Sequence, residues 1–393
     1  MPPLSSQYIL FFRNILITSI PVISSFSLVY LFMPYVLTHN GQNNFEHMVL
    51  IYSFFSAAGA LTLGIPVYLL KLWSLKIGQQ KDVLEYFYLS SPVFFVYSLF
   101  LLFNFFEYFY LLFTIPILSY VLAARAIEEG KKFFFNSAIL RLIFLIILPL
   151  VFYFITLDNS NYGYMLSLLS LLFFSGFLFQ KIKKIQCNFF NVKEKLKNIA
   201  PYAIQSLYVF SFIFLDRALL FLINPSVDFF IFSYEYEFIY RAIMPFTLIL
   251  TVLFPYMFEV NKHKRKLIVR SVSMFLILAF FVYSGLMFYI EPIYNSLNLK
   301  VVKGIYQANN FYISAVITAL CIGAYLQRRV TTMKDEKYIF KVFLSLSIVV
   351  SFVGLYATFL FGSALEVLAI KITVEILILW YFLKLKFKKE VNG

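Results

Sequence analysis

The stretch QKIKKIQCNFFNVKEKLKN, residues 180–198, is the most polar interior segment of the chain, and it divides the apolar runs into two equal sets. Before it come Ile15–Leu37, Met48–Leu72, Phe87–Phe103, Tyr108–Ala126, Phe135–Thr156 and Tyr164–Phe179. After it come Ile199–Ile223, Phe229–Phe254, Leu267–Ile290, Ile305–Leu326, Tyr338–Leu360 and Ala364–Leu383. Hydrocarbon offers a backbone no hydrogen bonds, so a chain crosses it as helices of about 20 apolar residues. Asn104 and Glu107 interrupt a run far too long for one crossing, which makes the third and fourth spans a hairpin. The Lys-rich divider suits an amphipathic helix on the cytoplasmic surface that joins two halves. The pattern predicts an all-α integral membrane protein of about twelve transmembrane helices. They fall into two six-helix halves, residues 1–186 and 187–393, around a central cavity.

Lys and Arg fix the orientation. They cluster at Arg13, at Lys71, Lys76 and Lys81, at Arg125, Lys131 and Lys132, and from Lys181 to Lys197. They return from Lys262 to Arg270, from Arg328 to Lys341 and from Lys384 to Lys389. The alternate connections, such as His39–His47, Asp158–Tyr162 and Asn224–Asp228, are nearly bare, and the one carrying Lys300 and Lys303 breaks the alternation. Basic loops stay on the cytoplasmic side, so both termini are expected inside.

Composition agrees: 62% of the residues are hydrophobic and 13% charged, against roughly 25% charged in soluble domains. Twelve crossings consume roughly 240 residues, so a chain of 393 is left with short connections and no soluble catalytic domain. The net charge of +14 is not a nucleic-acid signal. Of the 33 Lys and Arg, all but Arg141, Arg217, Arg241, Lys300, Lys303 and Lys371 fall in cytoplasmic connections, where they face anionic lipid headgroups. The first apolar run lacks a small-residue cleavage pattern and reads as an uncleaved helix. Cys187 and Cys321 lie apart, so neither a disulfide nor a metal site is expected.

Ionisable groups inside spans are costly and face a cavity or one another. Arg141, Asp216, Arg217, Glu235, Glu237, Arg241, Lys371 and Glu375 are of this kind. At 1.5 Å per residue, Arg217, Glu235 and Lys371 lie about 9 Å below the outer ends of their spans, and Arg141 about 9 Å above an inner end. Arg241 and Glu375 fall nearer the midplane. These groups read either as charged steps along one lumen or as a structural network. Glu237 and Arg241 are four apart in the favourable order for an ion pair, and Lys371 and Glu375 are four apart in the weaker order. Adjacent Asp216 and Arg217 point about 100° apart and can each pair across helices. Glu235 has no partner on its own helix.

Catalytic signatures are missing. There is no HExxH, no GxGxxG and no phosphate-cradling loop with Lys, and His39, His47 and His263 are scattered in connections. Every external connection is short, whereas membrane glycosyltransferases carry a sizeable external loop. No enzyme activity, cofactor or metal is expected.

Two stretches resemble the O-antigen flippase branch of the multidrug/oligosaccharidyl-lipid/polysaccharide (MOP) exporter superfamily. One runs from Met33-Pro34-Tyr35 through Gly41 and Phe45 into a span with Ala57, Ala58, Gly59 and Gly64. The other runs from Pro201-Tyr202 through the Asp216-Arg217 pair, Tyr234 and Arg241 to Pro255, in the order usual for that family. Glu235 and Glu237 depart from its pattern. The resemblance implies a cargo of oligosaccharide linked through pyrophosphate to a polyprenyl chain, flipped by alternating access across a bacterial cytoplasmic (inner) membrane. It implies cargo contacts at Arg141, Arg217, Arg241, Lys371 and Tyr234, and a coupling proton or sodium ion at Asp216 or Glu235. The alternatives are an O-antigen polymerase or similar membrane glycosyltransferase, and a small-molecule exporter of the same superfamily.

Overall fold

A computed structural model describes residues 4–60, 62–79, 111–157, 192–258, 262–299, 310–333 and 335–392, with isolated positions between 89 and 99. Among the described residues the regular structure is all helical. The first half contributes α1 (Leu4–Ser27), α2 (Met33–His39), α3 (Gln42–Ala60), α4 (Ile65–Ser74), α5 (Leu111–Gly130), α6 (Phe134–Leu142) and α7 (Leu148–Leu157). The second contributes α8 (Val192–Phe210), α9 (Asp216–Ile223), α10 (Phe229–Arg241) and α11 (Met244–Phe258). It ends with α12 (Lys262–Ser296), α13 (Asn310–Thr331), α14 (Glu336–Phe361) and α15 (Ala364–Asn392). Among the described residues three π segments, Leu28–Phe32, Ile143–Ile147 and Ser211–Leu215, join α1 to α2, α6 to α7 and α8 to α9.

Five of these stretches are long and apolar enough to cross a membrane: Arg13–His39, Phe134–Val151, Lys193–Leu220, Asn310–Thr331 and Glu336–Phe361. Two more qualify as bent pairs, Phe229–Arg241 with Met244–Pro255 at 50°, and Leu276–Gly285 with Phe288–Ser296 at 44°. The chain is a multi-pass helical membrane protein. The spans expected at 87–103 and 164–179, the Lys300 and Lys303 connection, and residues 180–191 of the polar divider lie outside the described residues. Residues 192–198 of that divider are not part of a separate surface helix. They are the opening turns of α8.

The bends have local causes. Proline has no N–H, so the carbonyl four residues before it loses its helical donor. Pro34 frees the carbonyl of Tyr30 and Pro149 that of Leu145, each inside a π segment. The freed Tyr30 carbonyl is taken up by the Tyr294 hydroxyl. The third π segment has no such proline. There, the Phe212 carbonyl accepts from both the Tyr236 hydroxyl and the Lys371 ammonium, and inserted side chains open a helical ladder as effectively as a proline does. Helix ends follow capping rules. Asp228 starts α10 by accepting from the N–H groups of Phe230 (2.8 Å) and Ile231 (3.0 Å). Gly362, in the left-handed region at φ +64°, stops α14.

Within the first half α4 packs on α5, α5 and α1 on α6, and α3 on α7; within the second, α14 packs on α8 and α15, and α13 on α12 and α15. The seam between the halves is made by α1 against α11, α3 against α10, and α4 against α8 and α11. With the Lys- and Arg-rich connections taken as the inner side, contacts cross this seam at two levels. Toward the outside, the Tyr30 hydroxyl donates to the Phe238 carbonyl (2.5 Å) and the Tyr234 hydroxyl to that of Val29 (3.3 Å). On the inside, Lys71 pairs with Glu336 at 2.7 Å, and Gly64 meets the backbone of Tyr202. A Cβ on Gly64 would fall 1.9 Å from the Tyr202 carbonyl oxygen, and its φ of +65° also favours glycine. Large apolar side chains on the periphery, among them Phe281, Phe352 and Trp380, are exposed, as a lipid-facing surface requires.

Candidate functional site

A cavity of about 260 Å³, with polar and apolar side chains both in its wall, lies between the seam contacts. Its wall comes from both halves: Thr62, Gly64, Pro66, Val67, Leu122 and Arg125 from the first, and residues of α8, α10, α11, α13 and α15 from the second. The polar members from the second half include Gln205, Ser206, Tyr240, Gln327, Arg328 and Glu375. Glu375 is held on two sides, accepting from the Tyr208 hydroxyl at 2.5 Å and from Gln327 Nε2 at 2.8 Å. Gly323 gives it room, since a Cβ there would lie 2.8 Å from Glu375 Oε1. The side-chain oxygen of Gln205 is buried without a hydrogen-bond partner.

Two arginines mark the inner end of this cavity. Arg125 Nε lies 3.4 Å from Glu129 Oε1, within ion-pair range but without hydrogen-bond geometry. The Arg328 guanidinium rests over the Phe254 ring at 4.3 Å. Sequence reading placed both residues in inner connections; they belong instead to α5 and α13 and face the space between the halves.

None of the seven residues expected to contact cargo or a coupling ion lines this cavity; of the eight ionisable groups read inside spans, Glu375 alone does. Five ionisable groups, Asp216, Arg217, Glu237, Arg241 and Lys371, are instead gathered into one network inside the second half. Lys371 Nζ lies 2.9 Å from Asp216 Oδ1 and 3.2 Å from the Tyr236 hydroxyl, and it also donates to the Phe212 carbonyl. Gly354 leaves room for the Lys371 stem, with a Cβ position 3.1 Å from its Cδ. Arg217 donates to the Ile213 carbonyl (2.6 Å) and to Glu237 Oε1 (3.0 Å), between the rings of Phe214 and Tyr236, both 4.6 Å away. The other Glu237 oxygen accepts from Arg241 Nε at 2.7 Å, so the expected four-apart pair forms. Arg241 also reaches across the seam to Ser56 Oγ (2.8 Å) and lies over the Tyr52 ring. The four-apart Lys371 and Glu375 do not pair with each other; each is engaged elsewhere.

Arg141 belongs to a separate cluster. It donates to Glu129 Oε1 (3.0 Å) and Thr251 Oγ1 (2.9 Å), and the Ser137 hydroxyl adds a bond to the same carboxylate oxygen. Tyr234 is buried at the seam, with its ring edge-on to Phe45. Glu235 is also buried, and its carboxylate makes no hydrogen bond or ion pair among the described residues. The acid within electrostatic reach of it is Glu366, whose Oε2 is itself buried without a partner. Among the described residues no group of three or more His, Cys, Asp or Glu is placed to hold a metal ion.

No protein-family model matches the sequence, and no curated protein does. Solved structures match over nearly the whole chain. One is a multidrug resistance MATE family transporter of the MOP superfamily in an outward-facing conformation. It has a TM-score of 0.64 at 14% identity, over 97% of this chain and 96% of that one. Another is a MATE in the straight conformation, with a TM-score of 0.63 at 13% identity, over 97% of this chain and 96% of that one. At such identities the likeness is one of fold. The chain has the fold of the MATE transporters, two helical halves with a cavity between them.

Proposed function

We propose that the chain is an alternating-access transporter of the MOP superfamily that flips a polyprenyl-pyrophosphate-linked oligosaccharide repeat unit. The movement runs from the inner to the outer leaflet of a bacterial cytoplasmic membrane, during O-antigen or related surface polysaccharide synthesis. The observation that carries this reading is the cavity between two halves of a MATE-like fold, whose wall includes polar and charged side chains among apolar ones. A sugar headgroup entering hydrocarbon loses hydration without replacement; amide, hydroxyl and charged groups such as Gln205, Tyr240, Gln327 and Glu375 supply the replacement. At about 260 Å³ the cavity is smaller than the usual range for small-molecule sites, roughly 300–1,000 Å³. It takes part of a headgroup, and the halves must part to admit a whole repeat unit. Breaking the inner and outer seam contacts in turn is alternating access. An open, mostly apolar groove of about 650 Å³ beside α1, lined by Leu28, Leu31, Leu150 and Leu299, offers the prenyl tail a route that stays in lipid.

In this reading Arg141, Arg217 and Lys371 hold the walls, since carboxylates already engage them. Arg241 and Tyr234, which bond to the opposite half, respond to its movement. Glu235, buried and unpaired among the described residues, takes the coupling proton or sodium ion, with Glu366 beside it; Asp216 is occupied by Lys371. The protein carries out no covalent chemistry. A second reading, export of small molecules, is favoured by the likeness to a multidrug resistance transporter.

The glycolipid profile of a strain lacking the gene separates these readings. Single repeat units trapped on the cytoplasmic side, with none at the surface, are expected. Surface molecules capped with one repeat unit would place the defect in polymerisation and sink the flippase. Unchanged glycolipids with a new sensitivity to drugs would favour the small-molecule exporter.

A further inference from the structure

We infer that the hydroxyls of Tyr30, Tyr234 and Tyr294 latch the outer side of the seam by standing in for N–H groups missing at two helix breaks. The first break is the π segment before Pro34. The Met33 N–H bonds to the Leu28 carbonyl, five residues back, and the next residue is a proline with no N–H to give. In that five-residue register Pro34 would have served Val29, and in the ordinary register Tyr30. Both carbonyls are taken by tyrosines of the second half: Val29 accepts from Tyr234 at 3.3 Å and Tyr30 from Tyr294. The second break lies between α10 and α11, which meet at 50°. There the Ala242 N–H, which a continuing helix would give to Phe238, goes to the Ile239 carbonyl at 3.3 Å. The Phe238 carbonyl accepts instead from the hydroxyl of Tyr30 in the first half, at 2.5 Å. Each half thus caps carbonyls that a break in the other half has exposed.

Val29, Tyr30, Tyr234, Phe238 and Tyr294 are all buried, so with the halves together the hydroxyls do for these carbonyls what water would do at a surface. A buried carbonyl left without a donor is costly, whereas a hydrated one is not. When the outer ends part, water can take over each carbonyl and each hydroxyl at little net cost. The three bonds therefore hold the outer side shut without making its opening prohibitive, as a transport cycle requires. A helical N–H at either break would cap its carbonyl in both states and would be blind to the position of the other half. The inference rests on the alternating-access reading and is indifferent to the cargo.

The test places spin labels at Asn40 and Ser226, exposed at the outer ends of the two halves, in the full chain in nanodiscs with Cys187 and Cys321 replaced by alanine. Pulsed electron resonance then reads the ratio of long to short distances. Tyr30→Phe, Tyr234→Phe and Tyr294→Phe each orphan one carbonyl in the closed state alone, so each should raise the open-to-closed ratio roughly ten-fold. Tyr356→Phe, on the exposed periphery, should leave it unchanged. Phenylalanine keeps the ring contacts of Tyr30 with Phe26 (3.9 Å) and Phe238 (4.1 Å), and a second substitution guards against a packing defect. Pro34→Ala returns an N–H to the first break, and in the Tyr294→Phe background it should bring the ratio back toward that of wild type. Unchanged ratios in the three variants, an equal rise in Tyr356→Phe, or no rescue by Pro34→Ala would overturn the latch. Labels at Lys76 and Lys341, exposed on the inner side, separate the latch from alternating access. An outer opening accompanied by an inner one would leave the latch standing and sink alternating access.

Discussion

Lys371 and Asp216 are both almost completely buried and bonded to each other at 2.9 Å. Removing one partner of such a pair leaves an uncompensated charge in a low-dielectric interior and costs about 3–5 kcal/mol, whereas replacing both with apolar groups is often neutral. Lys371→Met and Asp216→Leu should therefore each lower the thermal unfolding midpoint of the purified protein sharply, and the double variant should regain most of the loss. Costs that simply add would mean that the two do not act as a pair. Arg241→Lys tests a different quality of the network. It keeps the charge but loses the fork that holds Glu237 and Ser56 at once, and transport should fall while insertion is retained. The sequence identified the charged residues of this network but only one of their pairings. Spacing by four matched Glu237 with Arg241 correctly and Lys371 with Glu375 incorrectly, because the choice between a neighbour on the same helix and one across the bundle is made by packing. Arg125 and Arg328 escaped for another reason: they lie so near the inner helix ends that a count of basic loops absorbed them.

Elements show the same division between local and non-local causes. Pro34 and Pro149 foretell breaks at 28–32 and 143–147, since each deletes a donor that the preceding turn needs. Nothing local marks 211–215, where side chains arriving from α10 and α15 take the Phe212 carbonyl. The start of α14 is legible again: Asp335 accepts from the Tyr338 N–H at 3.1 Å and from Lys386 at 3.0 Å. The hydrogen bond from Lys386, followed by that from the Tyr338 N–H, holds the Asp335 carboxyl below its ordinary range. A carboxyl depressed in this way contributes stability above its unfolded pKa of about 3.9 and loses the contribution as pH falls through the folded value. Asp335→Ala should cost about 1 kcal/mol at neutral pH through loss of the cap. The difference from wild type should shrink in unfolding experiments taken below about pH 4. A gap that persists in acid would remove the charged cap as its cause.

At the scale of the molecule, the count of apolar runs and the spacing of Lys and Arg were enough for a helical membrane protein in two parts, because the cost of an unpaired backbone in lipid leaves few other solutions. The cavity was out of reach, since its wall mixes residues from elements far apart in sequence. The inner seam can be tested directly. Lys71→Glu should break its 2.7 Å pair with Glu336 and increase labelling of a cysteine placed at Gln205. Adding Glu336→Lys should reverse that increase, and labelling that ignores the swap would show that the pair does not hold the inner side shut. The π segments in the first span of each half have a quieter effect. Every surplus residue in a helix turns all that follows by about 100°. The α9 face that carries Asp216 and Arg217 owes its heading toward Lys371 and Glu237 to the slip at 211–215, and α2 owes its own to the slip at 28–32. A helical wheel drawn straight through either point assigns lipid to residues that face protein, and protein to residues that face lipid.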